Sequence, residues 1–185
     1  PEGSGISFKL TGDAYVNAMA MNSVIRDLFY SLLTASLVIF GLIAAIFRSI
    51  RIGIIASIPN LTPLALTLGY MALRGYDMNV GNVIVFTISL GIAVDDSIHF
   101  LFRFREEMKQ TTDVSEAVRL AFAGTGRAIL VTSILIVTGL SVLLLSDFVP
   151  TRRFAELTSI TMIGALIGDL FLLPACLLVF WKKPA

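Results

Sequence analysis

Leu28 to Phe47, LFYSLLTASLVIFGLIAAIF, is a run of twenty residues without a single charge. Coiled as an α-helix it is about 30 Å long, the thickness of a bilayer's hydrocarbon core. Arg26 and Asp27 precede it and Arg48 and Arg51 follow, so charge marks both of its edges. The pattern repeats, and it predicts spans over 28–47, 52–73, 80–101, 128–145 and 155–181. Pro59, Asn60 and Pro63 interrupt the second span; proline frees backbone carbonyls and kinks a helix. The fifth is longer than a crossing needs and is expected to tilt or bend. Composition agrees: 56% of the residues are hydrophobic and 15% charged, with a mean hydropathy of +0.88. Soluble chains carry about 25% charge, and this one lacks the polar residues to cover a soluble surface. The reading is an all-α membrane protein, a five-helix transmembrane bundle over residues 13–183.

The polar segments set the organisation around the spans. Ile6 to Leu10 alternates with period two, as a half-buried strand does, and Thr11-Gly12 then turns. One strand is no domain, so residues 1–12 are expected to belong to a soluble region upstream. The chain, which opens at Pro1, is expected to be a piece of something longer. Asp13 is placed as the N-cap of a helix that feeds the first span. Between the third and fourth spans, Arg103 to Arg127 is the one long polar stretch. Asp113 and Glu116 have capping-box spacing, and Val114, Ala117, Val118, Ala121 and Phe122 follow at helical intervals. This predicts an amphipathic interfacial helix, lying along the membrane or packed on the ends of the spans. Placing the Arg48–Arg51 turn, this loop and the Lys182-Lys183 tail inside puts nine of the fourteen basic residues in the cytoplasm. The N-terminus is then outside and the C-terminus cytoplasmic.

Several function classes drop out. The net charge of +1 is spread in short clusters between apolar runs, which is no footprint for nucleic acid. Cys176 is the single cysteine and sits in an apolar run, so no disulfide framework or cysteine zinc site is expected. No P-loop, nucleophile elbow or zinc-ligand set is present, and neither a cofactor nor a metal is expected.

Asp95 and Asp96, in the third span, carry the chemistry. A carboxylate near mid-membrane costs about 2.5–3.5 kcal/mol, whereas each apolar residue returns only about 0.3–0.6 kcal/mol. A span ending at Val94 would be only about 22 Å long, and Ile98 to Phe102 is still mostly apolar. The acids therefore belong inside the bundle. Burial and mutual repulsion oppose full ionisation of adjacent carboxyls, and such a pair titrates as a unit. That is the chemistry of a proton carrier, driven by about 2.3 kcal/mol per charge per 100 mV. His99 follows one turn later and is either a relay partner or a structural residue. Thr132 and Ser133, on the fourth span, either reach a carboxyl on the third or bond their own helix carbonyls. Asp169, deep in the fifth span, either joins the pathway or pairs with a polar residue of another helix. Gly164 and Gly168 have the spacing of close helix contact.

Gly91-Ile-Ala-Val-Asp95-Asp96-Ser-Ile-His99-Phe, followed by Arg103-Phe-Arg-Glu-Glu, resembles the intramembrane signature of the resistance–nodulation–division (RND) superfamily. The branch it looks most like contains the MMPL and Patched-like proteins. Phe47-Arg48-Ser49 with Pro59-Asn60, Gly126-Arg127 through Thr132-Ser133, and Asp169 to Pro174 resemble other helices of the same unit. The resemblance implies a half-transporter of five helices, called a sterol-sensing domain in eukaryotic relatives, with residues 1–12 as the tail of a missing extracytoplasmic domain. It makes Asp95 and Asp96 proton-relay residues and Thr132 the relay hydroxyl. The relay lysine of the drug-efflux branch has no counterpart here, which favours the lipid-exporter branch.

The expectation is the transmembrane part of a proton-motive-force-driven exporter of hydrophobic or lipid-like substrates. It is a secondary active transporter, not an enzyme, in a bacterial inner membrane. Its partners would be protons, lipid-like cargo, membrane lipids and the other half of the transporter, with homo-oligomers open. A sterol- or hopanoid-sensing module without transport is the rival reading. An aspartyl protease fits poorly, because its two acids should come from different helices.

Overall fold

The computed structural model describes residues 13–181, so the expected strand over 6–10, the rest of the 1–12 tail and Lys182-Lys183 lie outside it. The described residues form α1 (Asp13–Ile46), α2 (Ile50–Arg74), α3 (Val80–Glu107), α4 (Val114–Ser141), α5 (Val149–Ile167) and α6 (Leu173–Phe180). A 3-10 turn, Val142–Leu145, extends α4, and a π turn, Gly168–Leu172, joins α5 to α6 as one rod. Five of the resulting helices are long and apolar enough to cross a membrane. The chain is an all-α integral membrane protein.

Local chemistry sets the helix boundaries. Asn79 caps α3, its side chain accepting from the Asn82 amide at 3.1 Å. Asp113 caps α4 by accepting from the Ser115 amide at 3.0 Å, while Glu116 pairs with Arg119 at 2.6 Å and leaves the capping box open. The ends of α1 and α2 share a left-handed stop, in which Ser49 donates to the Ala44 carbonyl and Tyr76 to that of Met71, both at 2.9 Å. The left-handed residues are Arg48 (φ 51°) and Gly75 (φ 64°).

No separate interfacial helix lies between the third and fourth spans. Residues 114–127 are the first half of α4, which continues unbroken into its span. Nothing between Leu120 and Arg127 breaks a helix in the way proline does. Ala117, Val118 and Ala121 are buried against the core, and this burial fixes the segment to the bundle.

In the packing α3 contacts all four other spans, α5 lies against α2, α3 and α4, and α1 lies against α2 and α3. Half of each span of α2 and α3 is buried, against 11% of α4, so α4 is peripheral. The seam between α2 and α5 is the tightest. A Cβ on Gly168 would stand 2.8 Å from the Pro59 carbonyl oxygen, and one on Gly164 would stand 3.2 Å from Pro63 Cα. Further along the seam, the buried hydroxyls of Thr67 and Thr161 bond each other at 2.7 Å. Pro63 has no N–H for the Pro59 carbonyl, so that freed oxygen faces the one residue type that admits it so closely. At the Tyr76 end, Tyr70 and Tyr76 both donate to Glu156, and the Arg153 guanidinium stacks 4.7 Å from the Tyr76 ring. This clasp ties the α2–α3 loop to α5.

The seam yields a stability prediction. Gly168→Ala forces backbone apart from backbone and is expected to destabilise the protein by about 1–3 kcal/mol. Gly41→Ala, with nothing within 4 Å of its Cβ, is expected to be neutral or stabilising. Unfolding midpoints in detergent micelles check both.

Candidate functional site: an intramembrane carboxyl cluster

Successive residues of a helix point about 100° apart, and α3 uses that step to carry polarity from its surface inwards. Asp95 is exposed, with its Oδ1 3.6 Å from Nε2 of the equally exposed His99 one turn on. Asp96 is half-buried, and Ser97 is fully buried. Three consecutive residues thus sweep from the bundle's outer face to its centre.

Asp169 waits at the centre with 1% of its surface exposed. Its position follows from Pro174, which has no N–H to give the carbonyl four residues back. The chain answers with the wider π turn over Gly168–Leu172, and Asp169 sits in it. Single π turns are frequent at functional sites. Ser97 Oγ donates to Asp169 Oδ1 at 2.5 Å. Asn60, also fully buried, donates from Nδ2 to Ser97 Oγ at 2.9 Å and to the Ala56 carbonyl at 2.6 Å. One hydrogen-bonded chain therefore links α2, α3 and the π turn.

Two oxygens of this hydrogen-bonded chain have no partner among the described residues: Asn60 Oδ1 and Asp169 Oδ2. An amide oxygen only accepts, and a carboxyl oxygen donates only when it carries a proton. Which hydrogen-bonding role Asp169 Oδ2 can take therefore depends on whether it carries a proton.

The residues anticipated from sequence divide between the two sides of α3. Asp95 and His99 meet each other on the exposed face, with Asp96 beside them. Asp169 pairs with a polar residue of another helix, Ser97. Thr132 is exposed, and its hydroxyl donates to the Ala128 and Ile129 carbonyls of its own helix, both at 3.0 Å. Ser133 is buried. Among the described residues no hydrogen bond joins Thr132 or Ser133 to an aspartate. Ser97 and the amide of Asn60 were not anticipated. Their signal was an amide residue directly after a proline inside a span, and a serine next to an acid pair in an apolar run.

Comparison with known proteins agrees with this architecture. The chain matches the MMPL family model over residues 1–183. It is 36% identical over 117 residues to the probable trehalose monomycolate exporter MmpL3 of Mycobacterium leprae, covering 62% of this chain and 12% of that protein. It is 26% identical over 187 residues to the apo-petrobactin exporter of Bacillus anthracis, covering 97% of this chain and 25% of that protein. The putative membrane protein SCO6666 of Streptomyces coelicolor is 32% identical over 149 residues, covering 77% of this chain and 21% of its own. The chain therefore spans a quarter or less of the length of these relatives.

The cluster is testable as a unit. Removing Ser97 leaves Asp169 with both oxygens unpartnered, and Ser97→Ala is expected to cost about 1–3 kcal/mol. In a double-mutant cycle with Asp169→Leu the two changes are expected to couple by about 0.5–3 kcal/mol. Additive unfolding energies would show that the contact carries no energy.

Proposed function

The chain belongs to the MMPL family, and from that premise we propose that it is the transmembrane part of an exporter driven by the proton-motive force. Its cargo is hydrophobic or lipid-like, and its membrane is a bacterial inner membrane. The printed names of two relatives, a trehalose monomycolate exporter and an apo-petrobactin exporter, support export as the activity. One observation supports protons as the driver: Asp95, Asp96 and Ser97 lead stepwise from an exposed carboxyl to the buried Asp169.

In this reading Asp95 and Asp96 take up protons from the outside, and His99 holds the Asp95 carboxylate while it is empty. Neutralising the pair removes the desolvation cost of burying charge, so α3 moves deeper into the bundle. Loss of the proton to the cytoplasm restores charge and reverses the motion. Each proton crossing the field supplies about 2.3 kcal/mol per 100 mV. Thr132 serves as the relay hydroxyl by leaving its own carbonyls for the carboxyl pair in another state of the cycle. Its neighbour Ser133 and the deeper Asp169 support the pair. The orientation puts the Arg48–Arg51 turn in the cytoplasm, and the other half of the transporter, or a second copy, covers the face that bears Asp95.

Proton uptake by the full-length protein in liposomes tests this. Cargo-dependent flux is expected in the parent, and a fall to background in the Asp95→Asn, Asp96→Asn double variant, with membrane insertion retained. Flux that survives the double substitution rules out these carboxyls as the relay. No flux in either protein, with sterol-like lipid still bound, would point to a sensing module.

A further inference from the structure

At the Arg48 end of the bundle, the α1–α2 turn and the C-terminal ends of α3 and α6 line an open hollow of about 650 Å³. Its lining includes Phe47, Arg48, Arg51, Arg105 and Trp181. A second hollow of about 350 Å³ runs between α2 and α6, lined by Ile54, Ile58 and Val179. Arg51, Ile55 and Phe180 line both, so a basic mouth opens into an apolar groove. We propose that this is a binding site for one anionic glycerophospholipid, with its phosphate among the three arginines and an acyl chain in the groove.

The charge at the mouth is unbalanced. Among the described residues Arg48, Arg51 and Arg105 have no carboxylate partner, because the acids nearby are engaged elsewhere. Glu106 pairs with Lys109 at 2.7 Å and Glu107 with Arg103 at 2.6 Å. Arg105 is held in place over the Phe47 ring, 5.6 Å from its centroid. A phosphodiester supplies the missing negative charge and oxygens that suit guanidinium forks. A zwitterionic headgroup brings its own cation to the arginines and gains less.

The backbone at Arg48 is a second, independent observation. Arg48 and Gly75 do the same structural work, each as the left-handed residue that ends a helix with the same hydrogen bond. Gly75 does so without steric cost, whereas a side chain at φ 51° costs free energy. The end of α1 favours a cation, but Arg105 already reaches the Ile46 carbonyl at 3.4 Å. Arginine where glycine is the easier residue indicates that the side chain is used for something beyond the turn.

The occupant is a lipid, not free phosphate, because the groove continues from the mouth along the part of α2 that lies in the membrane. The mouth is level with the first charges beyond the spans, where headgroups lie, and Trp181 is an interface residue type. Basic pockets between membrane helices are suited to anionic headgroups. This inference does not rest on proton coupling.

The test uses full-length protein in nanodiscs of equal phosphatidylglycerol and phosphatidylcholine, with retained lipid identified by native mass spectrometry. The parent is expected to prefer phosphatidylglycerol about tenfold, equivalent to about 1.4 kcal/mol. Arg48→Gly removes the guanidinium and relaxes the backbone, so the preference should fall severalfold without loss of thermal stability. Arg51→Gln and Arg105→Gln are expected to lower it as well. Saturating inorganic phosphate should leave most of the lipid bound. Equal retention of the two lipids, an unchanged preference in Arg48→Gly, or complete displacement by phosphate would each overturn the proposal.

Discussion

Inside a bilayer no water is available to satisfy a polar atom, and each buried polar group has to find its partner in the protein. The α2–α5 seam meets most of this constraint, leaving Asn60 Oδ1 and Asp169 Oδ2 without a partner among the described residues. Pro59 and Pro63 disrupt the α2 hydrogen-bond ladder, and Gly164 and Gly168 let α5 come close enough to cover the disrupted stretch. Asn60 lies between the two prolines and turns the same stretch into a donor for Ser97. The close approach that packs the bundle is also what brings Asp169 to the centre of three helices.

The polar groups of α3 form two tiers with different environments. Asp95 and His99 stand on the outer face and Ser97 stands inside, with Asp96 between them. Carboxyls on an apolar helix are costly unless something covers them. In the proposed exporter that cover is another half or copy, and the outer tier is where protons arrive. The inner tier links α2, α3 and the π turn through one hydrogen-bonded chain. The two tiers are adjacent along α3, with Asp96 next in sequence to Ser97, which bonds the acid of the π turn.

The spans were legible because hydropathy and length alone decide whether a helix crosses a membrane. The carboxyls were legible because an acid in an apolar run is expensive. The amphipathic stretch between the third and fourth spans left two readings open, on the membrane or packed on the ends of the spans, and it is not a separate helix. Amphipathic periodicity shows that one face is buried, but not whether it lies on lipid or on protein. Ala117, Val118 and Ala121 lie on protein, and α4 runs straight through. Asn60 was read as part of a kink and of the family resemblance but not as a hydrogen-bond donor, since its partner Ser97 is thirty-seven residues away in sequence.

The sequence by itself determined a five-span all-α membrane protein, the acid pair on α3 and the glycine spacing on the last span. These follow from local quantities: transfer free energy, helix length and residue spacing. Only the tertiary structure decided that Gly164 and Gly168 face Pro63 and Pro59, that Ser97 and not Thr132 meets a carboxyl, and that three arginines converge on one hollow. Such pairings depend on which face each helix turns to its neighbours. That choice is settled by the packing of the whole bundle, and no single span carries it.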